Sequence, residues 1–437
     1  MTPSARCQTA IELLDKIDSS NAAADEIFNK YFRARRYAGG GDRRAVRVLV
    51  YKILRKRSQI DWWCERLELG RTSRHRALTT LALEDSPWPD ITSYAAFQKE
   101  KFGPAPLSIN EWRAAERAGG QTLDHDDQPV AVKSNIPVWM ESMFCQEIND
   151  SFVIEINALN MEAETDLRIN SLRSTREAVL AFLREEGIEC QATPFAPHGI
   201  RLNVRRSFGS LKSFRDGDFE PQGEASQLAV ELLGLKAGQT VLDLCAGSGG
   251  KSLAAAACMR NRGRLILSDV NSGKLSRAKK RLKRAGVTIA EYRPLESIIG
   301  PKDLVKNRLI DVAIIDAPCT GSGVWRRNPE AKWRLTPDIL KRHVDRQRDL
   351  LRFAATTVRP GGMIAYMTCS VLNKENRDLI DDFLAEFGGA FRLHPLAEEW
   401  RRVTGRVLKC GTMDLQLTPG AYGMDGFYVA VMEKTRA

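Results

Sequence analysis

Residues 240–252 read Thr-Val-Leu-Asp-Leu-Cys-Ala-Gly-Ser-Gly-Gly-Lys-Ser, which predicts a short apolar strand, a glycine turn and the start of an alanine-rich helix over Leu253–Cys258. Two phosphate-binding patterns each fail here by one residue. A P-loop needs a glycine where Cys245 stands, and a dinucleotide-binding fingerprint needs one where Ser252 stands. What remains is an acid, Asp243, followed by a Gly-x-Gly turn whose glycines let the backbone approach a ligand closely.

Strand and helix patterns alternate from about residue 220 onward. Four short runs rich in Val, Ile and Leu predict strands at Thr240–Leu244, Arg264–Ser268, Asp311–Ile315 and Met363–Met367. Helical patterns separate them, such as Lys274–Ala285, in which Leu275, Ala278 and Leu282 share one face. This alternation predicts an α/β fold with a parallel, doubly wound sheet that binds ligands at the carboxyl ends of its strands.

A second acid, Asp269, ends the predicted strand that follows the glycine turn. A carboxylate in this place can accept both hydroxyls of a ribose, and Asp243 can meet an ammonium group. Together with the turn, the two acids suit an adenosyl amino acid better than a pyrophosphate. A glycine turn that serves packing alone is the alternative that these residues leave open.

Two cysteines follow strands of the same predicted sheet, in the motifs Asp316-Ala-Pro-Cys319 and Thr368-Cys369-Ser370. A thiolate that adds to carbon 6 of cytosine makes carbon 5 nucleophilic toward a methyl sulfonium, and a base must then remove the carbon-5 proton. Asp316 is placed to hold the amidine edge of such a pyrimidine. The residues by themselves do not decide which cysteine attacks.

Composition narrows the class of protein. The 437 residues predict two or three domains. The formal net charge of +11 and pI of about 9.2 favour a polyanionic partner. Because no apolar run could cross a bilayer, and Met1–Ala10 lacks a secretory core, we expect a cytoplasmic protein without a membrane partner. The nine cysteines form no C-x-x-C pair and the five histidines fall in no motif, so we expect no metal site.

The chain before residue 119 is predicted to be helical. Its segment 33–57 carries ten cations and one acid, Asp42, which we expect to cap a helix with apolar positions from Val46 to Leu54. A surface that faces RNA is favoured here over a solvated helix face.

A linker rich in Gly and Asp follows at residues 119–127, and then a small mixed α/β unit. Strand patterns occur at Leu167–Leu172 and Gly199–Val204. Between them, Ser174 and Glu177 predict a capping box for a helix that ends at Gly187.

These motifs together resemble the RsmB/Sun family of RNA cytosine-C5 methyltransferases. The segments that carry the resemblance span residues 220–437 and are Gln222-Gly-Glu-Ala-Ser226, Cys245–Lys251, Asp269, Asp316–Cys319, Lys332-Trp333, Thr368-Cys369-Ser370 and Asp425-Gly-Phe427. Upstream, Arg36–Trp63 resembles a NusB-like helical domain. The resemblance implies three domains: a NusB-like RNA-docking domain at 1–118, a small α/β RNA-binding extension at 130–215 and a Rossmann-like methyltransferase domain at 220–437.

The implied activity is methyl transfer from S-adenosylmethionine to carbon 5 of a specific cytosine in RNA, with small-subunit ribosomal RNA as the favoured substrate and a covalent cysteine–cytosine adduct on the way. The resemblance implies that Cys369 is the nucleophile, that Cys319 assists product release, that Asp316 contacts the cytosine and that Lys251 bridges the two sites. It implies cofactor binding by Cys245, Ala246, Gly247, Ser248, Gly249, Gly250, Lys251, Asp269 and Asp316. We expect a monomer.

The sequence departs from the family pattern in two places. The family's Ala-Ala-Pro-Gly-Gly-Lys loop is replaced by residues 246–251, which keep the last two glycines and the lysine but lose the rigid proline. The family usually has an aspartate for the adenine after its third strand, but around Arg293-Pro-Leu-Glu296 there is none, which leaves Glu296 as a candidate.

Two cationic clusters, Arg326-Arg327 and Lys332-Trp333-Arg334, follow the Pro-Cys motif. With Trp325 and Trp333 they predict a site that grips phosphates and stacks an unpaired base, although buried anchoring is the alternative for the tryptophans. Three other interpretations stay open at this point: a transfer RNA substrate, attack by the Pro-Cys cysteine as in DNA cytosine methyltransferases, and a catalytically silent RNA-binding factor for ribosome assembly.

Overall fold

The computed structural model describes residues 1–88, 91–148, 152–203, 206–294, 310–408 and 412–435. Their contacts divide the chain into two compact units. The first unit comprises Met1–Met161 together with Trp325–Leu335, and the second comprises Glu162–Val324 together with Thr336–Ala437. The three-domain division of the sequence stays a prediction.

The first unit is helical throughout its described residues. Its amino-terminal helices are α1 (Pro3–Asp18), α2 (Ala24–Arg33), α3 (Gly40–Arg55), α4 (Arg57–Arg66), α5 (Ser73–Ala82), α6 (Ser93–Ala96), α7 (Ile109–Ala118), α8 (Val130–Lys133), α9 (Glu141–Ile148) and α10 (Phe152–Asn160). The apolar stripe from Val46 to Leu54 is buried, as the helical spacing predicts. Asp42 lies inside the first turn of α3 rather than before it, and its carboxylate accepts the N–H of Gly39 at 3.2 Å.

The cations of segment 33–57 are in part neutralised inside this unit. Arg47 donates to Asp25 at 2.7 Å, and Arg57 donates to Asp18 at 2.8 Å. The guanidinium of Arg35 lies over a tyrosine ring, 3.7 Å from its centroid. The positive charge that this segment offers to a partner is therefore smaller than its composition indicates.

The second unit begins with a small antiparallel sheet of order β2-β3-β1-β4. Its elements are β1 (Thr165–Ile169), α11 (Arg176–Glu185), β2 (Cys190–Ala192), β3 (Gly199–Leu202), α12 (Lys212–Asp216) and β4 (Phe219–Pro221). The predicted capping box of Ser174 and Glu177 is wrong, because α11 begins one residue later than that box requires. Thr175 caps the helix instead, accepting the N–H of Ala178 at 3.2 Å.

The rest of the second unit is built around a large sheet of order β10-β12-β9-β8-β5-β6-β7, with β11 also paired to β12. The strands are β5 (Thr240–Asp243), β6 (Arg264–Asp269), β7 (Ala290–Pro294), β8 (Ile310–Asp316), β9 (Val358–Thr368), β10 (Phe391–Leu393), β11 (Asp414–Leu417) and β12 (Phe427–Lys434). The helices from residue 224 on are α13 (Glu224–Glu231), α14 (Gly250–Cys258), α15 (Ser272–Arg284), α16 (Pro329–Arg334), α17 (Pro337–Thr357), α18 (Arg377–Glu386), α19 (Ala397–Thr404) and α20 (Pro419–Tyr422).

The large sheet is doubly wound, which confirms the predicted fold class. Strands β5 to β9 pair in parallel, and β12 joins β9 antiparallel. Alternate residues of β8 enter different hydrophobic cores: Val312 and Ile314 pack with α14 and α15, whereas Ala313 and Ile315 pack with α17 and α18. Both faces are thus covered by helices, as a parallel sheet requires.

The segment that contains α16 belongs to the first unit, away from its neighbours in sequence. Lys332 is fully buried there, and its Nζ donates to the side-chain oxygen of Asn160 and to the carbonyl of Arg55. Burial holds the pKa of Lys332 well below its usual range. The prediction that Lys332 grips phosphate is therefore wrong.

The other residues of this segment are also engaged inside the first unit. The indole N–H of Trp333 donates to the carbonyl of Leu54 at 2.6 Å, and Trp325 is buried. Arg334 donates to the carbonyls of Ile17 and Ala22, each at 3.0 Å. Anchoring, rather than base stacking, accounts for both tryptophans.

Replacing Lys332 by alanine should destabilise the first unit by about 3 kcal/mol, because Asn160 loses its donor and the stem of the lysine leaves a cavity. Urea denaturation followed by tryptophan fluorescence measures this loss. The matched control is Lys30→Ala, at an exposed position of α2, which should change the free energy of unfolding by less than about 0.5 kcal/mol. Equal denaturation midpoints for the two variants would contradict the structural role of Lys332.

Candidate active site

Three acids end three neighbouring parallel strands: Asp243 on β5, Asp269 on β6 and Asp316 on β8. Since β5 lies between β6 and β8, the three carboxylates share one edge of the sheet. The chain runs outward from β5 to β6 and β7 on one side and continues with β8 and β9 on the other. This reversal of strand order opens the crevice in which doubly wound sheets bind ligands.

The glycine turn after β5 has the conformation that its sequence indicates. Gly247 and Gly249 adopt positive φ angles of 54° and 80°, and the N–H of Gly249 donates to the carbonyl of Ala246 at 2.8 Å. A Cβ on Gly249 would lie 2.8 Å from a methyl group of Leu282 on α15. Only glycine satisfies both the φ angle and this close approach.

Asp243 is fully buried and only half satisfied. Its Oδ2 accepts the hydroxyl of Ser252, whereas its Oδ1 has no hydrogen-bond partner among the residues that the structure describes. Burial raises the pKa of Asp243 to about 7, and the nearby carboxylates of Asp316 and Asp269 act in the same direction. A buried carboxylate with a spare oxygen is suited to a cationic or N–H donor on a ligand.

Asp269 holds the turn in place. Its Oδ2 accepts the N–H of Gly247 at 2.8 Å, and its Oδ1 accepts the N–H of Asn271 at 2.7 Å. Each oxygen keeps a further lone pair for a hydroxyl donor. Cys245 lies in the same turn, and burial raises the pKa of its thiol, which makes it an inert wall of the crevice rather than a nucleophile.

Lys251 connects the turn to the Pro-Cys motif. It lies on the first turn of α14, and its Nζ lies 2.6 Å from Oδ2 of Asp316. The same ammonium group lies 4.9 Å from the ring centroid of Phe427. Lys251 is almost buried, whereas the side chain of Asp316 is about one third exposed and so can be reached by a ligand.

The structure brings the two predicted cysteines into contact. The Sγ atoms of Cys319 and Cys369 lie 3.4 Å apart, although the residues are 50 positions apart in sequence. The contact with Cys369 raises the pKa of the Cys319 thiol, and burial and the carboxylate of Glu375 add to the effect. Cys319 is thus held as a neutral thiol in the resting protein.

A residue that the sequence did not reveal, Glu375, organises the Pro-Cys loop. It is completely buried, and its carboxylate accepts the N–H and the hydroxyl of Thr320 and the side-chain amide of Gln347. Gln347 also donates to the carbonyl of Pro318 at 2.9 Å. The one signal in the sequence is an acid shortly after an apolar pair, Val371-Leu372, behind the second cysteine motif, and nothing in that pattern indicates burial.

Two glycines join the loops around the cysteines. Gly426 donates its N–H to the carbonyl of Gly323 at 2.8 Å, and Gly323 donates to the carbonyl of Cys369 at 2.9 Å. A Cβ on Gly323 would lie 2.2 Å from the carbonyl oxygen of Gly426. The Pro-Cys loop, the Thr-Cys-Ser loop and the Asp-Gly-Phe segment therefore form one rigid wall.

One residue predicted to contact the cofactor cannot be placed in this site. Glu296, the candidate contact for an adenine, lies outside the described residues. Within the ranges that the structure covers, no group of three or more His, Cys, Asp and Glu could hold a metal ion, and no helix is long and apolar enough to cross a membrane.

Comparisons with known proteins agree with this architecture. The family model described as 16S rRNA methyltransferase RsmB/F matches residues 230–433, and the model of the RsmF/B-like, ferredoxin-like domain matches residues 136–208. The ribosomal RNA small subunit methyltransferase B of Pseudomonas syringae pv. tomato is 30% identical over 329 residues, which are 74% of this chain and 71% of that protein.

The protein of the same name from Sodalis glossinidius is 28% identical over 413 residues, which are 90% of each chain. Among solved structures, the protein PH0851 superimposes with a TM-score of 0.77 over 99% of both chains at 24% identity. This structural likeness shows that the fold is shared.

The raised pKa of Asp243 makes stability dependent on pH. The pKa of about 7 in the folded protein lies above the value of about 3.9 in an unfolded chain. The contribution of the protonated carboxyl group to the free energy of unfolding is therefore complete below about pH 4 and is lost as the pH rises through 7. In Asp243→Asn this dependence should vanish. Urea denaturation without added ligand measures this effect. Between about pH 5 and pH 8, the free energy of unfolding of the variant should rise by about 3 kcal/mol relative to that of the wild type. Parallel pH profiles for the two proteins would contradict the burial of a titrating carboxyl group.

The Glu375 network gives a second prediction. Glu375→Ala removes the acceptor of three buried donors and should lower the free energy of unfolding by about 3 kcal/mol, whereas Glu375→Gln keeps one carbonyl oxygen and should lose less. The loosened loop should also expose the thiols, so Ellman's reagent should label Cys319 and Cys369 faster in the alanine variant. Wild-type stability and labelling rate in Glu375→Ala would show that the network does not hold this loop.

Proposed function

The chain belongs to the RsmB/F family of 16S rRNA methyltransferases, and on this premise we propose that it transfers a methyl group from S-adenosylmethionine to carbon 5 of a cytosine in small-subunit ribosomal RNA. The observation that carries the proposal is the contact of 3.4 Å between the thiols of Cys319 and Cys369. Two thiols at strand ends, beside a crevice lined by acids, match a reaction that needs a nucleophile and a proton acceptor on one pyrimidine.

The residues at the edge of the sheet fit the cofactor. The unpaired Oδ1 of Asp243 is an acceptor for the ammonium group of an amino acid, and Asp269 keeps lone pairs for the ribose hydroxyls. The remaining contacts are proposed for the turn Cys245–Gly250, with Lys251 and Asp316 at the side nearer the target base. When bound, S-adenosylmethionine supplies an electrophilic methyl group on its sulfonium.

The target cytosine is proposed to leave its stack and to bind beside Asp316, because neither carbon 5 nor carbon 6 can be reached in a stacked base. One oxygen of Asp316 accepts the exocyclic amine of the base. Lys251, 2.6 Å from the other oxygen, holds the carboxylate in position. This contact distinguishes cytosine from uracil, which offers a carbonyl oxygen in place of that amine.

Cys369 is proposed to be the nucleophile. Its thiolate adds to carbon 6, and the electron pair of the 5,6 double bond becomes available at carbon 5. Carbon 5 would then take the methyl group as the bond between that group and the sulfonium sulfur breaks, with S-adenosylhomocysteine as the leaving group. Loss of the proton from carbon 5 then restores the double bond and breaks the bond between carbon 6 and sulfur. The raised pKa of the Cys319 thiol supports this assignment, because a neutral thiol attacks poorly.

Cys319 is proposed to take the carbon-5 proton. The pKa of its thiol is raised first of all by the contact with Cys369. Once Cys369 is bonded to carbon 6, its contact no longer raises the pKa of Cys319, and the thiol of Cys319 can release its proton to solvent. The resulting thiolate is the base that takes the proton from carbon 5.

The pair Cys319→Ala and Cys369→Ala tests this division of roles. Incubated with S-adenosylmethionine and a 16S rRNA transcript, Cys319→Ala should accumulate a covalent protein–RNA adduct on a denaturing gel, because release is blocked. Cys369→Ala should form no adduct, and both variants should lose multiple-turnover methylation of the RNA by at least about 10³-fold. Cys190→Ala, which changes a half-buried cysteine on the small sheet, is the matched control and should methylate like the wild type.

The opposite adduct pattern would assign attack to Cys319, and unchanged methyl transfer in both variants would exclude the thiol mechanism. A transfer RNA transcript in a parallel reaction identifies the RNA class. Methylation of the transfer RNA alone would overturn the ribosomal substrate but retain the chemistry.

A further inference from the structure

Helix α15 carries a concentration of positive charge that the proposed reaction does not use. Between Ser272 and Arg284 it holds seven cations and no acid. Its buried face is formed by Leu275, Ala278 and Leu282, which pack into the core beneath the large sheet. The remaining surface of the helix is therefore cationic along its length, which is about 20 Å for 13 residues.

Two of the seven cations have structural roles. Arg281 and Arg284 donate to the buried carboxylate of Glu220 on β4, and Arg281 also donates to the carbonyl of Ser248 in the cofactor turn at 2.7 Å. These contacts fix the helix between the turn and the small sheet. The positive charges of Arg281 and Arg284 are therefore used within the protein.

The other five cations are exposed, and in the part of the chain that the structure describes none of them forms an ion pair. They are Lys274, Arg277, Lys279, Lys280 and Lys283. Arg277, Lys280 and Lys283 follow one another at intervals of three residues and so project from the same side of the helix. This row faces away from the buried stripe.

An ordinary solvated helix face does not account for the row. Cations in the last turn are favoured by the helix dipole, which explains Lys283, but Lys274 lies in the first turn, where the dipole disfavours it. Like charges three or four residues apart destabilise a helix by about 0.2–0.5 kcal/mol for each pair. Ordinary surface helices avoid this by interspersed acids, and α15 has none.

Further cations gather at the carboxyl end of the helix. The turn of Arg260 and Arg262 is tied to it by Asn261, which donates to the carbonyl of Gly286 at 3.1 Å. A Cβ on Gly286 would also lie 3.2 Å from a guanidinium nitrogen of Arg173 on the small sheet side. The cationic surface thus continues from α15 onto the neighbouring turns.

We propose that the exposed face of α15 binds the phosphodiester backbone of the substrate RNA outside the catalytic crevice. The proposal rests on the proposed function and adds to it the surface along which the RNA lies. A row of unpaired cations without interleaved carboxylates complements a polyanion with evenly spaced charges. The helix starts three residues after Asp269 and packs on Gly249, so RNA along it passes beside the cofactor crevice.

The test is a triple variant, Arg277→Gln, Lys280→Gln and Lys283→Gln, in the full chain. Glutamine favours helices as well as lysine does, so α15 should persist. In filter binding of a 16S rRNA transcript, the slope of log Kd against log salt should become shallower by about 2 to 3, and Kd should rise by roughly tenfold or more at about 0.1 M salt. KM for RNA should rise with kcat unchanged, because no residue of the crevice has changed.

The matched control removes the same number of charges at Arg348→Gln, Arg352→Gln and Arg392→Gln. These arginines pair with Asp382, Glu386 and Glu433 and belong to the same unit. An unchanged salt slope in the control, with a shallower slope in the α15 variant, would support a local surface rather than a general effect of net charge. The melting temperature of the α15 variant should equal or exceed that of the wild type, because like-charge repulsion is removed.

The outcomes separate this proposal from the function on which it rests. Suppose that the wild type methylates the transcript and that both triple variants bind it with the same Kd and the same salt slope. The assignment of RNA binding to α15 is then wrong, and the proposed function stands. If the wild type neither binds nor methylates any RNA offered, the proposed function fails first. Loss of binding to phosphatidylglycerol vesicles in the α15 variant, with RNA binding retained, would assign the surface to a membrane instead.

Discussion

Like charges converge where β5, β6 and β8 end, and the fold must compensate them to exist. The carboxylates of Asp269 and Asp316 both raise the pKa of the fully buried Asp243, whereas Asp316 itself is about one third exposed. Each is offset differently: Asp269 by two backbone N–H groups, Asp316 by the ammonium of Lys251, and Asp243 by a hydroxyl and a raised pKa. The glycine turn supplies the N–H of Gly247, the first turn of α14 supplies Lys251 and Ser252, and the order of the strands brings the three carboxylates to one edge. A ligand that is cationic at one end completes the compensation that the protein leaves unfinished.

The sequence was sufficient for those features that depend on local patterns. Short apolar runs predicted four strands of the large sheet, β5, β6, β8 and β9, to within a residue or two, except that β9 extends well before its predicted start; the bounds of the other four strands were not predicted. Because parallel strands end at one edge, the acids and both cysteines could be assigned to the same side before any coordinates. Their contact distance, and the burial that separates Cys319 from an ordinary thiol, could not be predicted, since they depend on loops joined by Gly323 and Gly426.

Other features were beyond a reading of the sequence for physical reasons. Ser174 and Thr175 can both cap a helix, and the backbone rather than the residue type decided for Thr175. A charged residue such as Lys332 is exposed in most proteins, so nothing local marked it as buried. The same holds for Glu375. Composition counts cations but not the acids that meet them in space. The sequence therefore could not show that Arg47 and Arg57 of segment 33–57 are paired, whereas the row on α15 forms no ion pair among the described residues.

The segment around α16 has a consequence for how the chain acquires its structure during synthesis. The N–H of Ala24 donates to a carboxylate oxygen of Glu330, 306 positions later, and Lys332 completes the core around Asn160. A nascent polypeptide emerges from its amino end, and amino-terminal domains ordinarily fold first. The apolar core of the leading helices draws on residues 7–123 and can form early. The partners that α16 supplies to Ala24, Asn160 and the carbonyl of Arg55 arrive only when most of the message has been translated. These polar contacts are therefore among the last of the helical unit to form, and their high sequence separation slows that step.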